Sequence, residues 1–121
     1  MSFPKYEQFE PHLVYYEDVG MLQVIFLDRA VNVVEVEKGF DILENANPAS
    51  ESEPIVGFNL WGVRNIIDKA AYTRGSITLG RLLNLFEDHT FLPHGVCVFG
   101  QYRREVYASA KKHPLIWKIP K

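Results

Sequence analysis

The chain has 121 residues, of which 47% are hydrophobic and 23% charged, and its formal net charge is −2. This length is typical of one domain and too short for two, so we predict a single domain over residues 1–121. The small negative net charge argues against a chain built mainly to bind a nucleic-acid backbone. The single cysteine, Cys97, excludes an internal disulfide and a site with several thiolate ligands within one chain.

The sequence carries no evident signal for export or membrane insertion. Residues 1–12 lack an apolar core following a positive region, and no stretch approaches the roughly 18 apolar residues of a membrane span. We therefore expect a cytoplasmic protein with no membrane partner.

The first half of the chain is predicted to form β-structure, because short β-prone segments follow one another with glycines between them. The run 21–28 is almost continuously apolar, which is typical of a strand buried on both faces. Gly57 within a strand indicates a bulge or a close approach of another backbone. Residues 45–54, rich in Asn, Ser, Pro and Glu, are expected to form a mobile loop. The predicted strands cover residues 13–18, 21–28, 32–37, 40–44 and 55–62.

The second half contains the clearest helix signal, over about residues 76–88, with Ser76 or Thr78 as the N-cap. Residues 63–72 are predicted to form a short helix or a loop on the sheet, and residues 96–102 and 115–119 to form strands. Because strands and helices do not alternate regularly, we predict an α+β fold with a mostly antiparallel sheet. The apolar residues at helical spacing are Leu79, Leu82, Leu83 and Phe86.

Catalytic and metal sites are not evident in the sequence. Fingerprints of serine hydrolases, phosphate-binding loops and dinucleotide sites are absent. His89 and His94 are separated by Pro93, so a zinc site that they form with Glu87 or Asp88 is disfavoured. We predict a non-catalytic protein without a metal or a cofactor. The alternative is a small enzyme or ligand-binding protein with scattered site residues around the two histidines.

Basic and aromatic side chains are interleaved in the C-terminal third, a pattern typical of proteins that bind single-stranded nucleic acid. The alternation in the last predicted strand would place Trp117 and Lys118 on opposite faces. The alternative interpretation is that the aromatic rings pack in the core while the cations stay solvated. The candidate RNA contacts are Arg103, Arg104, Lys111, Lys112, Lys118, Tyr107 and Trp117.

Protein binding is a second alternative, because 13% of the residues are aromatic and some of them must be exposed. Exposed sheet edges or an aromatic patch would then serve a homodimer or another protein partner. The candidate residues of this patch are Phe58, Leu60 and Trp61.

Residues 54–67 read "PIVGFNLWGVRNII", and residues 98–114 read "VFGQYRREVYASAKKHP". The first segment resembles the "vGfNif" strand in the N-terminal domain of bacterial YtpR-type tRNA-binding proteins. The second is similar to the opening of the oligonucleotide-binding barrel that follows in that family, and Lys112, His113 and Pro114 match its "KHP". The resemblance implies an accessory domain of the translation apparatus, with a first barrel strand in residues 98–114.

The chain departs from the family pattern at three points. The spacing from Gly100 to the "KHP" match is longer, and Leu115, Ile116 and Trp117 stand where the family has "DAD". The sequence also ends at Lys121, before most of the barrel. We therefore expect a non-catalytic accessory or interaction domain, associated with RNA or translation, that binds tRNA or another RNA weakly and in a salt-sensitive manner.

Overall fold

The computed structural model describes residues 9–47, 55–90 and 97–121. These ranges contain seven strands and three α-helices, and a 3-10 turn at Gly100–Tyr102 precedes the last helix. The strands are β1 (His12–Tyr16), β2 (Met21–Ile25), β3 (Val31–Glu37), β4 (Phe40–Asn45), β5 (Ile55–Trp61), β6 (Ser76–Thr78) and β7 (Ile116–Lys118). The helices are α1 (Val63–Lys69), α2 (Leu79–His89) and α3 (Arg103–Lys112).

Strands β1 to β5 form one sheet in the order β1-β2-β5-β4-β3, and β6 and β7 form a separate two-stranded ribbon. Every strand pair in both sheets is antiparallel. The predicted α+β class and antiparallel sheet are confirmed. None of the helices in the described ranges is both long and apolar enough to cross a membrane.

One face of the five-stranded sheet carries the core. Leu22 lies opposite Leu60, and Leu60 lies opposite Phe40, so this cross-strand row is apolar over the three central strands β2, β5 and β4. The helices contribute their own apolar side chains to the same cluster. In β2 only alternate residues are buried, so the prediction of a strand buried on both faces is wrong. We call the face of the sheet that is turned away from the helices and the core the outer face. The helix residues of the core are Val63, Ile66, Ile67, Leu79, Leu82, Leu83, Phe86, Val106 and Ala110.

The main helix begins later than predicted. Thr78 is its N-cap, with its Oγ1 atom accepting a hydrogen bond from the backbone N–H of Arg81 at 3.3 Å. Residues 76–78 are extended because they pair with β7. The helix therefore covers Leu79–His89, where the sequence predicts 76–88.

The region after Cys97 differs most from the prediction. Residues 96–102 are predicted to be a strand, but the described part turns at Gly100, where φ is +55°. The chain then enters α3, which buries Val106 and Ala110, four residues apart, on one side. The segment 98–114, which the family resemblance implies to be a barrel strand, is therefore largely helical.

Gly57 permits the close approach of two strands. A Cβ atom at this position would collide with the carbonyl oxygen of Val24 in β2. The predicted close backbone approach is confirmed. Of the predicted loop 45–54, Asn45 ends β4, and residues 48–54 lie outside the described residues.

Candidate nucleic-acid interface

The ribbon of β6 and β7 has one buried and one exposed face. Its central pair, Ile77 and Trp117, is buried, with 2% and 5% of the residue surface exposed. Because side chains alternate along a strand, the flanking residues point to solvent. Lys118 lies directly opposite Ser76, and Ile116 lies opposite Thr78. The exposed face therefore carries two hydroxyls, one cation and one aliphatic side chain.

A cleft of about 350 Å³ opens beside this face, and we call it the ribbon cleft. Arg74 reaches it from the turn before β6, and Arg81 from the first turn of α2; both arginines are exposed. None of the described residues that line the cleft is acidic. The lining residues are Tyr72, Arg74, Ser76, Ile77, Thr78, Arg81 and Ile116.

Arg81 is oriented by its neighbours. Its guanidinium carbon lies 5.6 Å from the ring centroid of Tyr72, an attractive cation–π geometry. The hydroxyl of Tyr72 donates to the carbonyl oxygen of Ser76 at 2.7 Å, which ties the ring to β6. The cleft also lies at the start of α2, where the helix dipole adds partial positive charge. The oriented guanidinium and the start of the helix both favour an anion at this place.

Two of the predicted RNA contacts, Arg103 and Tyr107, are hydrogen-bonded to the carboxylate of Glu87. Glu87 on α2 accepts two hydrogen bonds from Arg103, at 2.5 and 3.0 Å, and one from the hydroxyl of Tyr107 at 3.0 Å. The Arg103 guanidinium lies 4.9 Å from the Tyr107 ring centroid. These contacts join α2 to α3. The assignment of Arg103 and Tyr107 as RNA contacts stays a prediction, and any RNA would have to compete with Glu87 for them.

The same cluster shifts several pKa values. The hydrogen bond from Arg103 is the main cause that lowers the pKa of Glu87 to about 2, with smaller contributions from Cys97 and Tyr107. Burial is the main cause that raises the pKa of Tyr107. Burial is also the main cause that raises the pKa of the Cys97 thiol, and the contact with Glu87 raises it further. Cys97 donates to Glu87 at 3.2 Å. The thiol is therefore kept protonated, which is the opposite of what a nucleophilic cysteine requires.

Trp117, which the sequence suggests as an RNA contact, is buried instead. Its ring centroid lies 5.2 Å from that of Tyr15 on β1. The remaining candidates are exposed cations in two places. Lys118 is on the exposed face of the ribbon, opposite Ser76, which lines the ribbon cleft. Arg104, Lys111 and Lys112 lie on α3, away from its buried side.

The predicted aromatic patch is mostly internal. Phe58 and Leu60 have no exposed surface, since the register of β5 turns both toward the helices. That part of the prediction is wrong. Trp61 alone of the three is on the outer face, and 38% of its surface is exposed.

A chain of side-chain hydrogen bonds holds Trp61 on the outer face. Asp41 Oδ2 accepts from Trp61 Nε1 at 2.8 Å and from Asn59 Nδ2 at 3.1 Å. Asn59 Oδ1 in turn accepts from Gln23 Nε2 at 3.1 Å. Gln23, Asn59 and Asp41 lie directly opposite one another in β2, β5 and β4. The indole is therefore fixed by three strands.

A second cleft, of about 320 Å³, lies beside Trp61, and we call it the tryptophan cleft. His89 lines it, whereas His94 lies outside the described residues. In the part of the chain that the structure describes, no group of three or more His, Cys, Asp or Glu side chains could hold a metal ion. The lining residues are Lys38, Gly39, Trp61, Gly62, Asn65, Ile66, Lys69, Phe86, His89 and Thr90.

Sequence reasoning did not find the residues of the ribbon cleft. Tyr72, Arg74 and Arg81 are spread over ten positions, and pairing of β6 with β7 adds Ile116 to the lining of the same cleft. The polar–apolar–polar alternation of Ser76, Ile77 and Thr78 is typical of a strand, but these residues were assigned to the start of the predicted helix.

Comparison of the chain with protein-family models, curated proteins and solved structures gives no match.

Proposed function

We propose that this chain is a non-catalytic RNA-binding domain that holds a single-stranded RNA segment at the ribbon cleft. The observation that carries the proposal is that Arg74 and Arg81 both line the ribbon cleft, beside the exposed face of the ribbon that carries Lys118. Arginine guanidinium groups bind phosphate oxygens through paired hydrogen bonds, and a cation-lined groove follows a nucleic-acid backbone.

The remaining lining residues suit the other parts of a nucleotide. Ile116 is 60% exposed and offers an apolar contact to a base, while Ser76 and Thr78 have hydroxyls that bond phosphate or ribose oxygens. Since Tyr72 holds Arg81 in place, binding immobilises less of that side chain. The net charge of −2 is compatible with this role because the cations of the cleft are locally concentrated.

The test is a fluorescence-anisotropy titration with tRNA and with a single-stranded RNA, each at two salt concentrations. The Arg74→Glu/Arg81→Glu variant should lose most of its affinity for both RNAs. Arg104→Glu/Lys111→Glu makes the same charge change on exposed residues of α3 and should bind much more strongly than the cleft variant. Equal affinity of all three proteins, or no RNA binding at low salt, would reject the proposal.

The alternative of a protein-binding or homodimerisation module stays a prediction. Of its three candidate residues, Trp61 alone is exposed. Sedimentation velocity over a range of protein concentrations tests it directly, since a homodimer sediments faster as the concentration rises and a monomer does not.

A further inference from the structure

We propose that the ribbon cleft binds the terminal phosphate of an RNA strand, a phosphomonoester, in preference to the phosphodiesters within the strand. This inference rests on the proposed function, since it names the part of the RNA that the same cleft recognises. Arg74 and Arg81 border one cleft of about 350 Å³. That volume is near the lower end of the range for small-molecule sites, which begins at roughly 300 Å³, so the cleft suits the end of a strand better than a length of backbone.

The charge of the lining matches a dianion. Arg74 and Arg81 carry two full positive charges, both side chains are exposed, and none of the described lining residues is acidic. A phosphomonoester carries about −1.5 to −2 charges at pH 7, because its second pKa is about 6, whereas a phosphodiester carries one. Two cations around one small cleft therefore attract a terminal phosphate more strongly than an internal one.

The hydrogen-bond donors of the cleft also suit a terminal phosphate. Each guanidinium presents paired N–H groups that bind two oxygens of one phosphate. Ser76 and Thr78 add hydroxyls from the two exposed positions of β6. Thr78 Oγ1 accepts from the backbone N–H of Arg81, so its own hydrogen is available for a ligand. A monoester offers three terminal oxygens to these donors, and a diester offers two.

The other lining residues suit the nucleotide that carries the phosphate. Ile116 is 60% exposed and lies directly opposite Thr78 on the ribbon, so it offers an apolar contact beside the hydroxyls. The guanidinium carbon of Arg81 lies 5.6 Å from the ring centroid of Tyr72, which orients one of the two arginines before a ligand arrives. The end of a strand can thus place its phosphate at the arginines and its nucleoside against Ile116.

The test compares one short single-stranded RNA in three forms, with a 5′-phosphate, with a 3′-phosphate and with hydroxyls at both ends. Isothermal titration calorimetry on the intact chain measures the affinity of each form. We expect one phosphorylated form to bind at least about tenfold more tightly than the unphosphorylated form, because charge-assisted hydrogen bonds are added. Adenosine monophosphate carries the same group without a strand and should bind more weakly than the preferred RNA. Equal affinity for it would make a free nucleotide the ligand and overturn the inference.

The pH dependence of the affinities provides a second readout. The terminal phosphate loses its second charge as the pH falls through about 6, while arginine keeps its charge. The preference for the phosphorylated form should therefore be smaller at about pH 5 than at about pH 7.5. The unphosphorylated RNA, which has no monoester group, is the control for other effects of pH.

Variants assign the preference to the cleft. Arg74→Ala/Arg81→Ala should bind phosphorylated and unphosphorylated RNA with the same affinity, and Arg104→Ala/Lys111→Ala, the matched change on α3, should keep the preference. Arg74→Lys/Arg81→Lys retains both charges and should recover part of the preference, because lysine lacks the paired N–H groups. Arg74 and Arg81 are exposed, so both cleft variants should fold normally, and their unfolding curves verify this.

Three outcomes separate the inference from the proposed function. Equal affinities of the wild type for the three RNA forms, with all binding lost in Arg74→Ala/Arg81→Ala, would overturn the inference and leave the proposed function intact. A preference that persists in this variant would place the terminal phosphate outside the ribbon cleft and overturn the inference. No binding of any RNA form to the wild type would reject the proposed function together with the inference.

Discussion

Arg81 lies over the ring of Tyr72, with its guanidinium carbon 5.6 Å from the ring centroid, and the ring is tied by its hydroxyl to the carbonyl oxygen of Ser76. This contact joins the segment after α1 to the first turn of α2 across the strand β6. It places a fixed cation in the ribbon cleft. If the cleft binds RNA, the ring beneath the arginine should matter for affinity.

Replacing the ring should weaken RNA binding. Tyr72→Leu removes the cation–π contact, which is worth about 0.5–1 kcal/mol at an exposed site, so RNA affinity should fall roughly two- to fivefold. Tyr72→Phe keeps the ring and should retain more of the affinity. Anisotropy titrations of both variants provide the measurement, and identical affinities for Tyr72→Leu and the wild type would contradict this role of the ring.

The Glu87–Arg103 pair should make stability depend on pH in a defined window. The folded state lowers the pKa of Glu87 from 4.5 to about 2, so the carboxylate stabilises the fold above pH 4.5, and this contribution is lost as the pH falls toward 2. Glu87→Gln should cost about 1 kcal/mol at neutral pH, a modest value because Arg103 is 56% exposed.

Urea unfolding of wild type and Glu87→Gln between pH 2 and pH 7 checks this pH dependence. The difference in free energy of unfolding between the two proteins should be largest above pH 4.5 and should shrink as the pH is lowered. Asp88→Asn, a change at the exposed neighbour, should give no such difference. If the difference in free energy of unfolding between the two proteins were the same from pH 2 to pH 7, the Glu87 carboxylate would not be stabilised in the fold.

Two glycine substitutions should have opposite effects on stability. Gly57→Ala would drive a Cβ atom into the backbone of Val24 and should destabilise the fold by about 2–4 kcal/mol. Gly80→Ala adds a Cβ with nothing within 4 Å in the first turn of α2, and should stabilise it by up to about 1 kcal/mol. Denaturant midpoints measure both, and a tolerated alanine at position 57 would contradict the observed strand spacing.

The hydrogen bonds beneath Trp61 should contribute to stability and to the order of the indole. Asp41→Ala leaves the indole N–H and the Asn59 amide without their common acceptor, at a cost of about 1–3 kcal/mol. Glu35 lies directly opposite Asp41 but is exposed, so Glu35→Ala should change stability by less than about 0.5 kcal/mol. Unfolding curves and the fluorescence anisotropy of the tryptophans report the two effects. Equal stabilities of the two variants would contradict the structural role of Asp41.

The sequence predicts strands well where the local pattern and the tertiary pairing agree. The alternation around Val34 and the glycine turn at Gly39 are local features, and both reappear in the sheet. The helix α3 was missed because the apolar run before it is typical of a strand. Its two buried residues, Val106 and Ala110, give only a weak helical period, and the packing of Val106 against the distant core is not visible in the sequence.

The partners of the candidate site residues could not be predicted from the sequence for a related reason. Arg103 and Tyr107 look available in the sequence, but Glu87, more than fifteen positions earlier, binds both of them. Conversely, Lys118 lies opposite Ser76, a residue of the cleft that Arg74 and Arg81 line, only because β6 pairs with β7. Long-range pairing therefore places a third cation beside the cleft.

The most direct test of the central claim is the salt dependence of RNA affinity for the wild type and for Arg74→Ala/Arg81→Ala. On single-stranded RNA each phosphate contact contributes about 0.7 to the slope of log K against log salt concentration, so the double variant should lose about 1.4 from that slope. Arg104→Ala/Lys111→Ala should keep the slope of the wild type. A slope that is unchanged in the cleft variant, or lowered only by the changes on α3, would contradict RNA binding at the ribbon cleft.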